Sequence, residues 1–466
     1  MQEMQEMQEM QEMQEMQEIP KIIHQMWIGD KEKCPSNLMK SWKNLNPTFE
    51  YIFWNENEIE IRSMTFECEK QINEIKEING KCDIMRWEIL YKYGGVFIDA
   101  DSSCLEPLDD YFMKNHKAFA TYENEKVRKG LVATGTMGFI KNHHLCRNII
   151  DWIKSTDSYD IIKNYKAWYS VGPARLTHFL EIGNNLDFSV FPSYCFLPIH
   201  HTGEIYDGHR KVYGHQEWGT SHQIYDKMNT MTIPEKLRTP ILWVSILIPS
   251  FNTKRDYIKD CLNSILNQNG WFGIELVWCN DGSDKEHSCV LEEELIEFMN
   301  RSRFIKLNYH KNITNVGISE CLHYGLLQCN HELIFRMDSD DIMVVDRLKI
   351  QIEFMNDNKD AVICGGGIQM FDETGNKRIV HHPNVFLENF YKDMKQTWIM
   401  NHPTLCYKKS AILSVGNYEK TITNKEDYNL EIKILHKFGI LHNLPLILVH
   451  YRIHNQQITL QKEICD

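Results

Sequence analysis

The sequence predicts an α/β protein of two tandem domains, each with a mostly parallel, Rossmann-like central sheet. Three observations support this prediction. The chain has 466 residues, a length typical of two to three domains. Strand-like and helix-like segments alternate in two separate series, which is typical of parallel sheets. Between the series, around residues 225–240, the pattern lapses into polar residues and two prolines, Pro234 and Pro240.

The first series predicts two strands, a helix with apolar residues at helical spacing, a glycine stop and a third strand. In chain order these are Lys21–Ile28, Tyr51–Trp54, Cys82–Tyr93, Gly94-Gly95 and Val96–Ile98. We assign this series to a first domain of residues 19–238.

The second series predicts strands that alternate with helices, and we assign it to a second domain of residues 239–466. Its segments are Val244–Pro249, Tyr257–Gln268, Ile274–Trp278, Ser319–Leu327 and Leu333–Met337.

Residues 1–18 are six Met-Gln-Glu triplets. Their period of three does not match the helical period of 3.6, so we predict a low-complexity tail without a stable apolar face.

Composition excludes some classes of protein. The net charge of -13 argues against a nucleic-acid partner, because no basic patch is present to neutralise phosphates. The 14 cysteines are scattered without the spacing of a zinc site, which suits a reducing compartment. No signal peptide and no membrane-spanning apolar run is evident. We therefore expect a cytoplasmic protein without a transmembrane segment.

Two apolar runs end in closely spaced carboxylates. Val96–Ile98 leads into Asp99 and Asp101, and Leu333–Met337 leads into Asp338-Ser339-Asp340-Asp341. Oxygen ligands at this spacing suit Mn²⁺ or Mg²⁺ together with a phosphate-bearing ligand. A lone acidic triplet is more often a solvated turn, so the surrounding motifs decide the interpretation.

The second half resembles glycosyltransferase family 2 across nearly its whole length. The segments that carry the resemblance are Val244–Asn252, Asn280–Ser283, Asn315–Gly317, Asp338–Asp341, Glu426-Asp427 and Tyr451–His454. The family usually has an acid where Asn280 stands. The resemblance implies a GT-A fold, a nucleotide-sugar donor and inversion at the anomeric carbon.

The resemblance also implies roles for individual residues of the second half. The donor would be bound by Pro249, Asn252, Asp281 and Asp340, and the metal by Asp338, Asp341 and His454. Asp427 would be the general base, with Glu426 beside it in the catalytic pair. Two alternatives remain open: Glu426-Asp427 as an exposed helix start, and His454 as a buried structural histidine.

The first half resembles glycosyltransferase family 32, the group with a DXD sugar-binding region. The segments that match are Ile19–Trp27, Cys82–Arg86, Gly94-Gly95, Asp99 with Asp101, Gly172-Pro173 and His215–Ser221. Cys82 departs from the usual small residue. The resemblance implies retention of the anomeric configuration, and no nucleophile is evident from the sequence.

Donor and metal ligands of the first half follow from the same resemblance. Asp83 and Arg86 share one helical face and would contact the donor, although a surface ion pair is the alternative. Asp101 would bind the metal directly, Asp99 would contact ribose or metal, and His215 is a candidate third ligand. The pairs His143-His144 and His200-His201 lack such context and are interpreted as loop histidines.

The sequence therefore predicts a bifunctional, metal-dependent glycosyltransferase with one Mn²⁺ or Mg²⁺ in each domain. Its partners would be UDP- or GDP-sugar donors and a glycan or glycoconjugate acceptor. Three alternatives remain: only one catalytic domain beside a sugar-nucleotide-binding or scaffolding module, a binding protein without transfer activity, and a nucleotidyltransferase. The last would usually show a Gly-rich, basic loop after the first strand, which residues 250–254 lack.

Overall fold

The computed structural model describes residues 18–114, 116–183, 185–240, 242–372, 374–375, 377–391, 399–422 and 425–454. The Met-Gln-Glu tail lies outside the described residues apart from Glu18. The chain divides into two units: residues up to Tyr206 with Val212–Ile233, and Asp207–Lys211 with the residues from Pro234 onward. The domain bounds 19–238 and 239–466 stay a prediction.

The first unit contains eight described strands and ten described α-helices. The strands are β1 (Ile22–Met26), β2 (Glu50–Trp54), β3 (Gly95–Ile98), β4 (Ser102–Cys104), β5 (Ala118–Asn124), β6 (Arg128–Phe139), β7 (Phe188–Phe191) and β8 (Gly214–Gln216). The helices are α1 (Ser36–Leu45), α2 (Glu56–Ile61), α3 (Glu69–Glu74), α4 (Ile78–Tyr93), α5 (Asp110–Met113), α6 (His144–Lys154), α7 (Thr156–Asn164), α8 (Ala167–Ser170), α9 (Pro173–Ile182) and α10 (Gly219–His222).

Six of these strands form one mixed sheet in the order β2-β1-β3-β6-β5-β7. The three strands that begin the sheet are parallel, whereas β6 runs antiparallel to both its neighbours. The predicted strands and helix are confirmed, except that α4 begins one turn earlier than predicted. Helix α4 ends at Gly94, whose φ of +65° and close approach to the Lys141 amide require a residue without Cβ.

The second unit contains ten described strands and seven described α-helices. The strands are β9 (Leu242–Ser250), β10 (Phe272–Asn280), β11 (Ile305–Lys311), β12 (Leu333–Arg336), β13 (Ile342–Met343), β14 (Ile363–Phe371), β15 (Lys377–Val380), β16 (Val385–Phe386), β17 (Cys406–Lys408) and β18 (Ile440–Arg452). The helices are α11 (Arg255–Leu266), α12 (Lys285–Asn300), α13 (Ile318–Gln328), α14 (Arg347–Asp357), α15 (Leu387–Phe390), α16 (Lys409–Ser414) and α17 (Glu426–Phe438).

The second sheet places β11-β10-β9-β12 side by side and in parallel, and continues through β17, β14, β18 and β13 with mixed directions. Both faces are covered, since two apolar clusters pack on opposite sides of β9 and β10. The α/β class with parallel strands at its centre is confirmed. Because parallel strands end at one edge, the residues after β9, β10 and β12 converge there.

Short 3-10 helices occur at Lys31–Lys33, Ser193–Cys195, Tyr225–Thr230, Glu235–Leu237 and His402–Thr404. Two of them occupy the region where the sequence pattern lapses. Within the described residues, no helix combines the length and apolar character that crossing a membrane requires.

Candidate active sites

The first acid pair follows β3, at the carboxyl edge of the first sheet. The Asp99 amide donates to the Gly135 carbonyl at 2.7 Å, and the Gln25 side chain donates to the Asp99 carbonyl at 3.1 Å. Strands β6 and β1 therefore hold the turn from both sides. The Asp99 carboxylate remains partly exposed, with a side-chain exposure of 29%.

Arg86 joins the predicted donor residues of the first unit. Its Nη2 lies 3.1 Å from Asp83 Oδ1 and 2.8 Å from Asp99 Oδ1, and its Nη1 donates to the Thr134 carbonyl. Burial raises the pKa of Asp83 to about 7, and the Asp99 carboxylate adds to this shift while Arg86 opposes it. The i,i+3 pair is thus buried rather than a surface ion pair, and it reaches the acid motif directly.

Asp101 is buried and fully engaged by backbone and side-chain donors. The Gln216 side chain donates to its Oδ1 at 2.6 Å, and the Gly219 amide donates to its Oδ2 at 2.7 Å. Burial, and next the nearby charge of Asp99, raise the pKa of Asp101 to about 7. A cation or a proton bound to the Asp101 carboxylate would therefore be favourable.

His215 lies on β8, where it is paired with Ser103 of β4. Successive side chains of a strand point to opposite faces, so His215 and Gln216 diverge. Gln216 meets the acids, whereas the His215 Nε2 lies 3.4 Å from Glu217 Oε1. The geometry therefore favours Gln216 over His215 as the side chain beside the acid pair.

An aromatic pair that the sequence analysis did not single out lies near the acids. The rings of Trp27 and Tyr225 meet edge to face at 5.1 Å. Burial raises the pKa of Tyr225, and the charges of Asp101 and Asp99 add to the shift. The Tyr225 hydroxyl lies 3.0 Å from Thr220 Oγ1, and the preceding residue, Gly219, donates its amide to Asp101. Trp27 follows β1 directly, and this position at a strand end is the sequence feature that could have indicated a residue near the site.

In the second unit, Asp281 follows β10 and organises a loop. Its Oδ1 accepts from the Asn312 side chain at 2.8 Å and from the Val316 amide at 3.0 Å, and its Oδ2 accepts from the Gly317 amide at 3.0 Å. Asp281 therefore ties the end of β10 to the turn that begins α13.

The end of β9 is held against the same loop. Pro249 pairs with Cys279 inside the parallel ladder. Asn252 adopts a left-handed φ of +50°, which Asn tolerates better than most residues. Its amide donates to Ser283 Oγ at 2.9 Å, and its Oδ1 accepts from the Asp284 amide at 3.0 Å. Both predicted donor residues thus lie beside the end of β10.

The acids after β12 have three different environments. Both oxygens of Asp338 contact Arg336, with N–O distances of 2.7 Å. Asp340 Oδ2 lies 2.7 Å from His454 Nε2, so the structure brings these two predicted residues together. Asp341 is fully buried; its Oδ1 accepts from the Arg452 amide at 2.9 Å.

The second oxygen of Asp341, Oδ2, is buried without a hydrogen-bond partner among the described residues. Burial raises the pKa of Asp341 well above its ordinary value, and the charges of Asp340 and Asp338 raise it further. An ionised, buried carboxylate without a partner is costly, so this position is suited to a cation.

Glu426 and Asp427 open α17, and neither is the exposed helix start of the alternative interpretation. Glu426 is buried and Asp427 partly buried. Burial raises the pKa of both carboxyls, and Arg336 opposes the shift. Arg336, which the sequence analysis did not single out, thus interacts electrostatically with this pair and with Asp338.

The two carboxylate sets are chemically suited to a hard divalent cation, since both offer oxygen ligands. In the second unit the buried Oδ2 of Asp341, which has no hydrogen-bond partner among the described residues, is the oxygen suited to bind such a cation. In the first unit a Cβ at Gly135 would lie 3.0 Å from Asp99 Oδ2, so the glycine leaves room beside that oxygen, to which the Gln216 side chain donates at 3.5 Å.

Two known families match this chain. Glycosyl transferase family 2 matches residues 245–421, and the glycosyltransferase sugar-binding region containing the DXD motif matches residues 33–118. Both resemblances inferred from the sequence are confirmed.

Three relatives are glycosyltransferases by name. An uncharacterized glycosyltransferase of Haemophilus influenzae is 32% identical over 210 residues, 45% of this chain and 74% of that protein. The O-antigen biosynthesis glycosyltransferase WbnJ of Escherichia coli is 32% identical over 203 residues, 43% of this chain and 76% of that protein. The amylovoran biosynthesis glycosyltransferase AmsE of Erwinia amylovora is 29% identical over 217 residues, 46% of this chain and 77% of that protein.

Among solved structures, S. aureus TarS in complex with UDP-GlcNAc aligns with a TM-score of 0.36 and 18% identity, over 47% of this chain and 60% of that chain. This chain thus spans less than two thirds of that structure. The identity and coverage of the Haemophilus and Escherichia relatives establish the family. The chain therefore belongs to the glycosyltransferases, and it joins a DXD-containing sugar-binding region to a family 2 domain.

Proposed function

We propose that this protein is a bifunctional, metal-dependent glycosyltransferase, with a retaining domain in residues 19–238 and an inverting domain in residues 239–466. The observation that carries the proposal is the presence of two separate sets of strand-end carboxylates, each held by its own network. In each domain a sugar would pass from a nucleotide-sugar to a glycan or glycoconjugate acceptor.

In the second domain the donor would lie across the ends of β9, β10 and β12. Pro249, Asn252, Asp281 and Asp340 would line its nucleotide side. Asp341 and His454 would hold the metal, with Asp338 beside them, paired to Arg336. When bound, the metal would offset charge that develops on the diphosphate leaving group.

The acceptor hydroxyl in the second domain needs a base on the side opposite the leaving nucleotide. We assign this role to Asp427. Its burial raises its pKa, which makes the carboxylate a stronger base than an exposed aspartate. Its Oδ1 accepts from the Tyr428 amide at 2.6 Å, so Oδ2 is the atom that would take the proton. Glu426 would adjust the local charge from the adjacent position.

In the first domain Arg86 would position the donor together with Asp83. Asp99 and Asp101 would hold the metal, and His215 is retained as a candidate ligand. The Trp27–Tyr225 pair offers an aromatic surface for a base or sugar ring. Retention requires a group on the reactive face of the sugar, and we assign none.

UDP- or GDP-sugars are the proposed donors. One relative, an Escherichia coli protein that is 33% identical over 144 residues, is named as a UDP-galactose-dependent β-1,3-galactosyltransferase, and the match covers 51% of that protein. WbnJ and AmsE are named for polysaccharide biosynthesis, which supports a glycan acceptor.

A second candidate function is that only the second domain transfers sugar, while the first binds sugar-nucleotide or acts as a scaffold. One observation favours it: both oxygens of Asp101 already accept hydrogen bonds, whereas Asp341 keeps one oxygen without a partner among the described residues.

Nucleotide release distinguishes these candidates. We expect wild type to release nucleotide from at least two donors in a panel of UDP- and GDP-sugars with Mn²⁺. Asp101→Ala should abolish release from one donor and Asp341→Ala from another, because each removes a carboxylate from a different site. The control is Asp360→Asn, which changes an exposed loop carboxylate.

If Asp341→Ala silences every donor and Asp101→Ala changes none, the single-domain candidate replaces the bifunctional one. If wild type releases nucleotide from no donor, with simple sugar acceptors present, both candidates are contradicted.

A further inference from the structure

A third polar cluster lies in the first unit, apart from the carboxylate sets already described. Glu123, His200 and His201 each offer a ligand atom, and these atoms all lie within 4.8 Å of one another. Glu123 and His200 are 6% and 1% exposed, and His201 is partly buried. The sequence interpretation of His200-His201 as loop histidines holds for the backbone, but it missed the buried carboxylate beside them.

The ligand set indicates the ion. Two imidazoles and one carboxylate form a set that zinc uses in open sites, with a water molecule in the fourth position. Imidazole nitrogen also favours zinc over magnesium or manganese, which prefer oxygen ligands. We propose that Glu123, His200 and His201 form a zinc site, at which the ligand atoms would close to about 3.3 Å from one another.

The surroundings of His200 suit this role. Its Nδ1 lies 2.8 Å from Thr202 Oγ1, and its Nε2 lies 3.2 Å from Glu123 Oε1. The Thr202 amide donates to Nδ1 at 3.3 Å, an arrangement that puts the ring proton on Nε2, facing Glu123. Zinc binding at Nε2 would shift this proton to Nδ1, which would then donate to Thr202 Oγ1. A zinc ion bound by His200 Nε2 and the Glu123 carboxylate would favour this tautomer. A metal-bound histidine usually donates a hydrogen bond from its other ring nitrogen.

Glu123 already has one cationic neighbour, which the zinc ion would displace. Arg128 Nη1 lies 3.3 Å from Glu123 Oε1 at a side-chain exposure of 41%. This contact is long and half in solvent, so it contributes little. Arg128 can turn outward when zinc neutralises Glu123.

The cluster is connected to the first acid pair through two consecutive residues, Trp218 and Gly219. The imidazoles of His200 and His201 pack edge-on against the Trp218 indole at 5.2 Å and 5.3 Å. Trp218 has a left-handed φ of +57°, and its indole nitrogen donates to the Ile199 carbonyl at 2.8 Å. The next residue, Gly219, donates its amide to Asp101. Zinc would therefore fix the turn that positions Asp101. The effect of this turn on catalysis rests on the proposed function, whereas the binding of zinc does not.

The test is zinc content of the full-length protein. The protein is stripped with a chelator, loaded with Zn²⁺ in the presence of excess Mg²⁺ to occupy oxygen-only sites, and dialysed before elemental analysis. We expect wild type to retain about one zinc ion per chain and to melt at a higher temperature after loading. His201→Ala and Glu123→Gln should lose the retained zinc and the increase in melting temperature.

The matched control is His144→Ala, which alters the other described group of two histidines and one acid, His143, His144 and Asp187. It should retain zinc like wild type. The proposal is overturned if stripped and reloaded wild type keeps no zinc, if His201→Ala keeps as much as wild type, or if His144→Ala is the variant that loses it. The wild-type measurement needs no variant to fold, and it does not depend on glycosyl transfer.

Discussion

Asp341→Asn is expected to abolish transfer by the second domain and yet to stabilise the metal-free protein. Asp341→Asn removes a carboxylate ligand of the metal, which stabilises the charge of the transition state by several kcal/mol. Activity should therefore fall on the order of 10³-fold. Stability should rise at neutral pH, because Asp341 Oδ2 is buried without a partner among the described residues. The asparagine keeps an oxygen for the Arg452 amide and carries no charge.

The stability effect has a predicted pH dependence. The pKa of Asp341 is raised in the folded protein, so the folded state binds its proton more tightly than the unfolded chain does. The contribution of Asp341 to wild-type stability therefore falls as pH rises above the unfolded value of about 4, and asparagine does not titrate. The advantage of Asp341→Asn should vanish near pH 4 and grow toward neutrality. Chemical unfolding in EDTA at several pH values measures it, and Mn²⁺ should stabilise wild type more than the variant.

Asp338→Asn is the matched control, and it should have the opposite effect on stability. Asp338 neutralises Arg336, whose side chain is only 5% exposed. Removing one partner of such a pair leaves an uncompensated charge and costs about 3 kcal/mol. If both asparagine variants destabilise the metal-free protein equally, the buried oxygen of Asp341 does not destabilise the wild type, and our account of this site is wrong.

Much of this architecture was predictable because it is local. The strand Gly95–Ile98, the stop at Gly94 and the helix before them follow from apolar spacing and from backbone preferences within a few residues. The i,i+3 placement of Asp83 and Arg86 is likewise a property of one helix. Sheet topology then brings the strand ends together, so the acid motifs could be placed at one edge of each sheet.

The partners of those acids were not predictable in the same way. Gln216 reaches Asp101 across 115 positions of sequence, and β8 must first pair with β4. The choice between His215 and Gln216 depends on strand phase, since a shift of one residue exchanges the two faces. Arg336 is an ordinary strand residue in sequence, and only its burial next to Asp338 shows that it balances the acid cluster.

Asp427→Asn is expected to lower the turnover of the second domain by about 10²- to 10⁴-fold, which is the usual contribution of a general base. Asparagine preserves the oxygen that accepts from the Tyr428 amide, so the start of α17 should remain intact. Donor affinity should therefore change little, and equilibrium binding of the nucleotide measures this separately from turnover.

The pH profile identifies the base. Burial raises the pKa of Asp427, so the wild-type rate should increase with pH through a value above the ordinary carboxyl range. Asp427→Asn should lose this dependence, and Glu426→Gln should retain it at a reduced rate. If Glu426→Gln instead abolishes the dependence and Asp427→Asn keeps it, Glu426 is the base. If Asp427→Asn weakens nucleotide binding as much as turnover, Asp427 positions the donor site, and proton abstraction must be assigned elsewhere.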